Sequence, residues 1–132
     1  MGFINKVLLT TGAAILAFGI AAPIPAIADD VSDFYKRKRI NMYVGYSPGG
    51  GYDRYSRTLA RHMGRNIPGK PRIIVKNRPG AGSMILTNEV YNSLPQDGTV
   101  IANVGRGMPT EPLLGNKEAK FDGRKFQWLG SM

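Results

Sequence analysis

The residues in this sequence best placed to do chemistry are glycines, and the chemistry they suit is the holding of an anion. Gly45-Tyr46-Ser47-Pro48-Gly49-Gly50-Gly51-Tyr52-Asp53-Arg54 lies between an apolar run, Ile40 to Tyr46, and an amphipathic run that begins near Tyr52. Read as strand, loop and helix start, it sets free backbone N–H groups at the positive end of a helix, where an anion binds without any catalytic side chain. Three consecutive glycines leave no Cβ in the way of a close approach. Asn77-Arg78-Pro79-Gly80-Ala81-Gly82-Ser83 and Gly105-Arg106-Gly107-Met108-Pro109-Thr110 repeat the theme, each after a predicted strand. Three such loops point to one composite anion site.

The side chains around these loops add a few candidates. Arg78 and Arg106 are the cations nearest the expected site, and either could grip a carboxylate in a forked geometry. Tyr46 and Tyr52 flank the first loop and could wall an aliphatic ligand. Asp53, at the helix start, reads first as a cap and second as a ligand or water contact. Ser83 reads as the N-cap of a second helix. His62 is the single histidine of the chain, which leaves no partner for a histidine-based triad or a multi-histidine metal site.

The loops match none of the familiar catalytic or nucleotide patterns. Gly45 to Gly50 is followed by Gly51-Tyr52, not by the Lys-Ser/Thr of a phosphate-binding P-loop. Gly49 to Arg54 does not complete a dinucleotide G-x-G-x-x-G. Gly80-Ala81-Gly82-Ser83 is no nucleophile elbow, since its spacing and final glycine are wrong.

These loops need elements to hold them, and the chain has room for one small domain, at 132 residues. Ile40, Met42 and Val44 alternate with Asn41 and Tyr43 as a first strand. Residues 52–65 read as a helix whose apolar face is Tyr55, Leu59 and Met63, ended by Gly64 and Pro68. After the turn Pro68-Gly69-Lys70-Pro71 comes a strand, Ile73-Ile74-Val75. Leu86, Val90 and Leu94 form the stripe of a second helix, Pro95-Gln96-Asp97-Gly98 a turn, and Thr99 to Val104 a third strand. The order predicts an α/β fold, a three-layer βαβαβ parallel sheet with right-handed crossovers. With strand order 2-1-3, the first and third loops flank the topological switch point, where ligands bind in such sheets. Phe126 to Leu129 is expected to start a further strand.

Composition bounds the rest. The absence of cysteine excludes disulfides, thiolate metal sites and a cysteine nucleophile. A net charge of +9 suits an anionic partner, but the basic residues are spread from Lys36 to Lys125 and no aromatic–basic recognition motif accompanies them. No nucleic acid is therefore expected as partner. Residues 1–28 have the pattern of a secretory signal: Lys6, the apolar stretch Ala13 to Ala22, and the small-x-small site Ala26-Ile27-Ala28. Cleavage there would leave Asp29 as the mature N-terminus.

At these residues a family resemblance appears. Ser47-Pro48-Gly49-Gly50-Gly51-Tyr52-Asp53, Asn77-Arg78-Pro79-Gly80-Ala81-Gly82 and Pro95-Gln96-Asp97-Gly98-Thr99 resemble, in order and spacing, the Bug (TctC-like) proteins. These are periplasmic solute receptors of tripartite tricarboxylate transporters. The resemblance implies a type II periplasmic binding protein fold, with residues 29–132 forming an incomplete N-terminal lobe, part of lobe one. It implies a small carboxylate ligand held largely by backbone amides and water, no cofactor, no catalysis, a monomer, and the transporter's membrane subunits as partners. Carried over by position, the anion-cradling loop is Ser47 to Asp53, and the ligand-binding residues expected there are Ser47, Pro48, Gly49, Gly50, Gly51 and Asp53, with Tyr46 beside them as a wall. Arg78, Gly80, Ala81, Gly82 and Ser83 supply the second loop and Arg106 the third, where Gly105-Arg106-Gly107-Met108 departs from the usual pattern. Residues 29–132 alone are expected to be marginal in stability and weak in binding. Two alternatives use the same residues: a phosphate- or nucleotide-handling α/β enzyme, or a truncated remnant without function.

Overall fold

The computed structural model describes residues 28–131. The predicted signal sequence lies almost wholly outside the described residues. The first element is a helix that the sequence pattern did not announce, α1 (Ala28–Lys36). Lys36 near its C-terminal end pairs with Asp33 one turn back, and a cation in the last turn suits the helix dipole. Tyr35 anchors it, donating its hydroxyl to the Gly98 carbonyl at 2.9 Å. Gly69, at φ 82°, lets the chain pass this helix closely: a Cβ there would stand 2.5 Å from the Ser32 carbonyl. Lys38 ties the same region together, reaching Asp97 at 3.4 Å and lying over the Phe34 ring.

Three strands follow in the expected order: β1 (Arg39–Val44), β2 (Arg72–Asn77) and β3 (Val100–Asn103). They form one parallel sheet of order β2-β1-β3, with Val44 opposite both Asn77 and Asn103. The alternation read in the sequence holds on the central strand, where Ile40, Met42 and Val44 are buried and Asn41 and Tyr43 only half-buried. Burying each such apolar side chain contributes about 1.5–3 kcal/mol, so β1 is the spine of the fold. Between the strands run α2 (Gly51–Met63) and α3 (Met84–Asn92). The connection from β1 to β2 and the return from β2 past β1 to β3 run in opposite directions, and the right-handed rule for parallel crossovers assigns such helices to opposite faces.

The α2 helix packs differently from its predicted stripe. Tyr55 is 64% and Leu59 38% exposed, whereas Asp53 and Ser56 are buried. The buried line is polar and small: Asp53, Ser56 and, just beyond the helix, Gly64, where a Cβ would stand 2.5 Å from the Pro71 carbonyl. Small residues let α2 lie close on the sheet, and Ser56 satisfies the amide of Asn103 at 2.8 Å. Hydrogen bonding to the strand ends outweighs the apolar periodicity of the exposed side.

Around α3 a second core forms from Met84, Met108 and Phe121, with Tyr91, Val104, Ala119 and Phe126 packed against it. Leu86 is fully buried, as its place in the stripe predicted. The strand expected at 126–129 does not form. Phe126 instead packs edge-on against Tyr91 and Trp128, and the Trp128 indole donates to the Gly123 carbonyl at 2.8 Å.

Candidate functional site

All three glycine loops leave the carboxyl ends of their strands on one edge, and they touch. Gly45, at the exit of β1, is so close to the second loop that a Cβ on it would lie 2.2 Å from Ser83 Cβ. Gly105, at the exit of β3, is equally confined: a Cβ there would be 2.6 Å from the Tyr46 hydroxyl and 3.1 Å from the Gly82 carbonyl. The Tyr46 hydroxyl donates to that carbonyl at 3.3 Å, and its ring stacks on Tyr52 with centroids 4.1 Å apart. Burial raises the Tyr46 pKa, with the neighbouring Tyr52 adding to it, so this phenol is a neutral donor at physiological pH. The Gly45 N–H bonds the Asn103 carbonyl and the Arg78 N–H the Val44 carbonyl, extending the strand pairing into the loops.

The outward side of the edge is open. Gly51 and Gly82 have nothing within 4 Å of where a Cβ would stand, and Gly49 turns at φ 87° beside equally open space. The exposed Ser47-Pro48-Gly49-Gly50-Gly51 segment runs into α2 with Gly50 as N-cap and no side-chain cap bond. The first N–H groups of α2 are therefore offered outward, at the positive end of its dipole. Arg106 is exposed at the third loop and has no ion-pair partner among the described residues. The arrangement can hold a small anion by backbone amides, with one guanidinium in reserve.

Several side chains stand elsewhere than the sequence suggested. Asp53 faces inward, not toward a ligand. It is buried, and its carboxylate accepts from the Gly49 N–H at 2.8 Å, from the Asn77 amide at 2.9 Å and from Arg57 Nε at 2.9 and 3.0 Å. Arg57 in turn donates to Asn77 Oδ1 at 2.9 Å, and Asn77 to the Tyr46 carbonyl at 3.0 Å. The Arg57 guanidinium, then the Gly49 N–H and the Asn77 amide, hold this carboxyl far below the usual carboxylate range. Its acceptor capacity is used up, so Asp53 fixes the loop and has none left for a ligand.

Arg78 is likewise engaged. Its guanidinium makes a forked pair with Glu89 on α3, with Nε at 3.0 and 2.9 Å from the two carboxylate oxygens. Ser83 is the N-cap residue of α3, as the sequence suggested, but it is fully buried, left-handed at φ 81°, and makes no cap bond with its side chain. It turns to the third loop instead, accepting the Gly105 N–H at 2.7 Å. Nothing at the sequence level marked that contact. His62 lies exposed on α2, with Nδ1 2.8 Å from Arg65 Nη2, away from the loops. Among the described residues no cluster of three or more His, Cys, Asp or Glu stands ready for a metal.

The Arg78–Glu89 pair gives a pH prediction. Arg78 lowers the Glu89 pKa below its ordinary 4.5. A lowered folded-state pKa contributes stability above the unfolded value and loses it as pH falls through the folded one. Glu89→Gln is expected to flatten the acid side of the stability curve below the ordinary glutamate pKa. The effect is small because Arg78 is 55% exposed. Urea midpoints at pH 7 and pH 4 check it; an acid loss in the variant equal to that of the parent would refute the pairing.

Known proteins share this stretch. Protein BugT of Bordetella pertussis is 35% identical over 97 residues, which is 74% of this chain and 27% of the relative. Over this stretch the chain is similar in sequence to a Bug protein. The UPF0065 protein in gbd 5'region of Cupriavidus necator is 38% identical over 92 residues, covering 70% of this chain and 26% of its own length. The Bug-like chain thus spans about a quarter of the length of these curated relatives. No family model matches it. The expected three-stranded parallel α/β sheet is what carries the Bug-like sequence here.

Proposed function

We propose that this chain supplies the anion-holding loops of a periplasmic solute-binding receptor. Its ligand class is a small organic carboxylate, delivered to the membrane subunits of a tripartite tricarboxylate transporter without chemistry on the ligand. Residues 1–28 act as the export signal, and residues 29–132 are part of the first lobe, working as a monomer. The observation that carries this reading is the convergence of three glycine loops on one sheet edge, with Gly51 and Gly82 facing open space. The groups that hold the anion are the amides of Ser47, Gly50, Gly51, Ala81 and Gly82, with the exposed Arg106 as counter-charge. Tyr46 and Tyr52 form an apolar wall for the ligand's carbon skeleton. Asp53, Arg78 and Ser83 shape the loops from behind.

The test is an amide NMR titration of the full chain with citrate and succinate. The expected result is saturable shifts at Gly50, Gly51, Gly82 and Gly107, weakened by Arg106→Ala. Shifts confined to other surfaces, or none at millimolar anion, would defeat the reading. Magnesium-dependent turnover of a phosphate ester would favour the enzyme alternative.

A further inference from the structure

Gly80, Ala81, Gly82 and Ser83 all have positive φ, at 149°, 45°, 61° and 81°. The Ser83 N–H closes this left-handed turn on the Gly80 carbonyl at 2.9 Å. Glycine enters that region freely, but an L-residue there crowds its Cβ against backbone and costs about 1–2 kcal/mol. Ala81 is exposed, whereas Ser83 is completely buried and is packed on every side. Its Oγ accepts the buried Gly105 N–H, its carbonyl accepts the Thr87 hydroxyl at 2.9 Å, and Gly45 lies against its Cβ. One residue thus meets the exits of β1 and β3 while belonging to the loop after β2.

A glycine would hold this backbone at lower cost, so the side chain has to answer for the difference. What the side chain supplies is one hydroxyl, bonded to the third loop, and one Cβ, seated against the first. We propose that Ser83 is the positioning residue of the composite site: it sets the spacing between the first and third loops, and so the distance between the amides on either side of an anion. It does not touch the ligand, because it has no exposed surface. This rests on the loops forming one anion site, as proposed above, but its structural half is measurable without ligand.

The experiment compares Ser83→Gly and Ser83→Thr with the parent in the full chain, reading thermal unfolding, amide exchange at Gly105, loop-one amide shifts and citrate titration. Ser83→Gly relieves the left-handed backbone but removes the hydroxyl. It is expected to melt near the parent temperature, while exchange at Gly105 rises and citrate affinity falls, each by on the order of tenfold. Ser83→Thr keeps the hydroxyl on a branched residue ill-suited to positive φ. It is expected to melt lower, yet to keep Gly105 protected and citrate affinity within about twofold in the folded fraction. Affinity that simply follows melting temperature across the variants would overturn the proposal. So would a Ser83→Gly protein with parental protection at Gly105 and unmoved Gly50 and Gly51 amides. If the parent binds no carboxylate, the receptor reading fails, and the exchange and shift data still decide whether Ser83 sets the loops.

Discussion

Asp53→Asn is expected to weaken carboxylate binding by on the order of tenfold or more while leaving the sheet intact, because one buried carboxylate organises the first loop. The isosteric amide has one acceptor oxygen where the carboxylate has two. If that oxygen serves Arg57 and Asn77, the new NH2 group faces the Gly49 N–H, donor against donor. If the amide flips, Gly49 is served and the NH2 meets Arg57 and Asn77 instead. Either way two of the four bonds to the carboxylate are lost, and keeping the oxygen on Asn77 breaks the one closing Gly49 onto α2. The Gly49-Gly50-Gly51 amides then sample more conformations, and the ligand must order them again on binding. Hydrogen exchange at Gly49, read beside a citrate titration, checks this; parental protection and parental affinity in the variant would refute it. The same cluster gives an acid-resistant loop. Because the folded-state pKa is strongly lowered, the contribution of Asp53 is present above the ordinary aspartate value and persists well below it. Gly49 protection is therefore expected to survive at pH 4, and Asp53→Asn to remove it at every pH in the orientation that sets the new NH2 against Gly49; the flipped orientation loses the Asn77 contact instead.

The sequence made the loops legible and their mutual fastening illegible, for a physical reason. Glycines at 49–51, 80, 82, 105 and 107 mark positions where backbone must turn or be approached, and alternation in Ile40, Met42 and Val44 marks a buried strand. Those signals are local, and parallel order then brings the loops to one edge. The fastening is non-local: Gly105 to Ser83, Asn103 to Ser56, Asn77 to Asp53. A polar residue at such a position looks the same in sequence whether it caps a helix, meets water or crosses the sheet. The same ambiguity misled the reading of α2, where the apolar Tyr55 and Leu59 stripe stays exposed and the buried line is Asp53 and Ser56. Arg78 likewise suited a ligand fork until Glu89, eleven residues on, filled it. The short helix α1 escaped notice because its hold on the fold is tertiary, through Tyr35 to Gly98 and through the tight passage of Gly69.

Two alanine substitutions separate holding the site together from leaving it open. Gly45→Ala places a methyl 2.2 Å from Ser83 Cβ and 3.1 Å from its Cα, and backbone on both sides leaves nowhere to yield. Gly45 is buried and bonded to Asn103, so relief requires the first and second loops to part. Overpacking of this kind costs about 1–3 kcal/mol, and the upper end is expected here. In a domain of this size that lowers the melting temperature by roughly 10–20 °C. Gly51→Ala is the counterpart: its methyl meets nothing within 4 Å, and alanine is a better helix former than glycine at the start of α2. It is expected to keep or slightly raise the melting temperature and yet to lower citrate affinity, because the methyl stands where the anion must approach the amides. A Gly45→Ala protein melting with the parent would mean that the first two loops do not meet, and the composite site would dissolve into three separate turns. A Gly51→Ala protein that binds like the parent would leave the fold intact but move the ligand away from the N-terminus of α2. The two variants thus test different links: whether the sheet edge draws the loops together, and whether the surface so made is the one an anion uses.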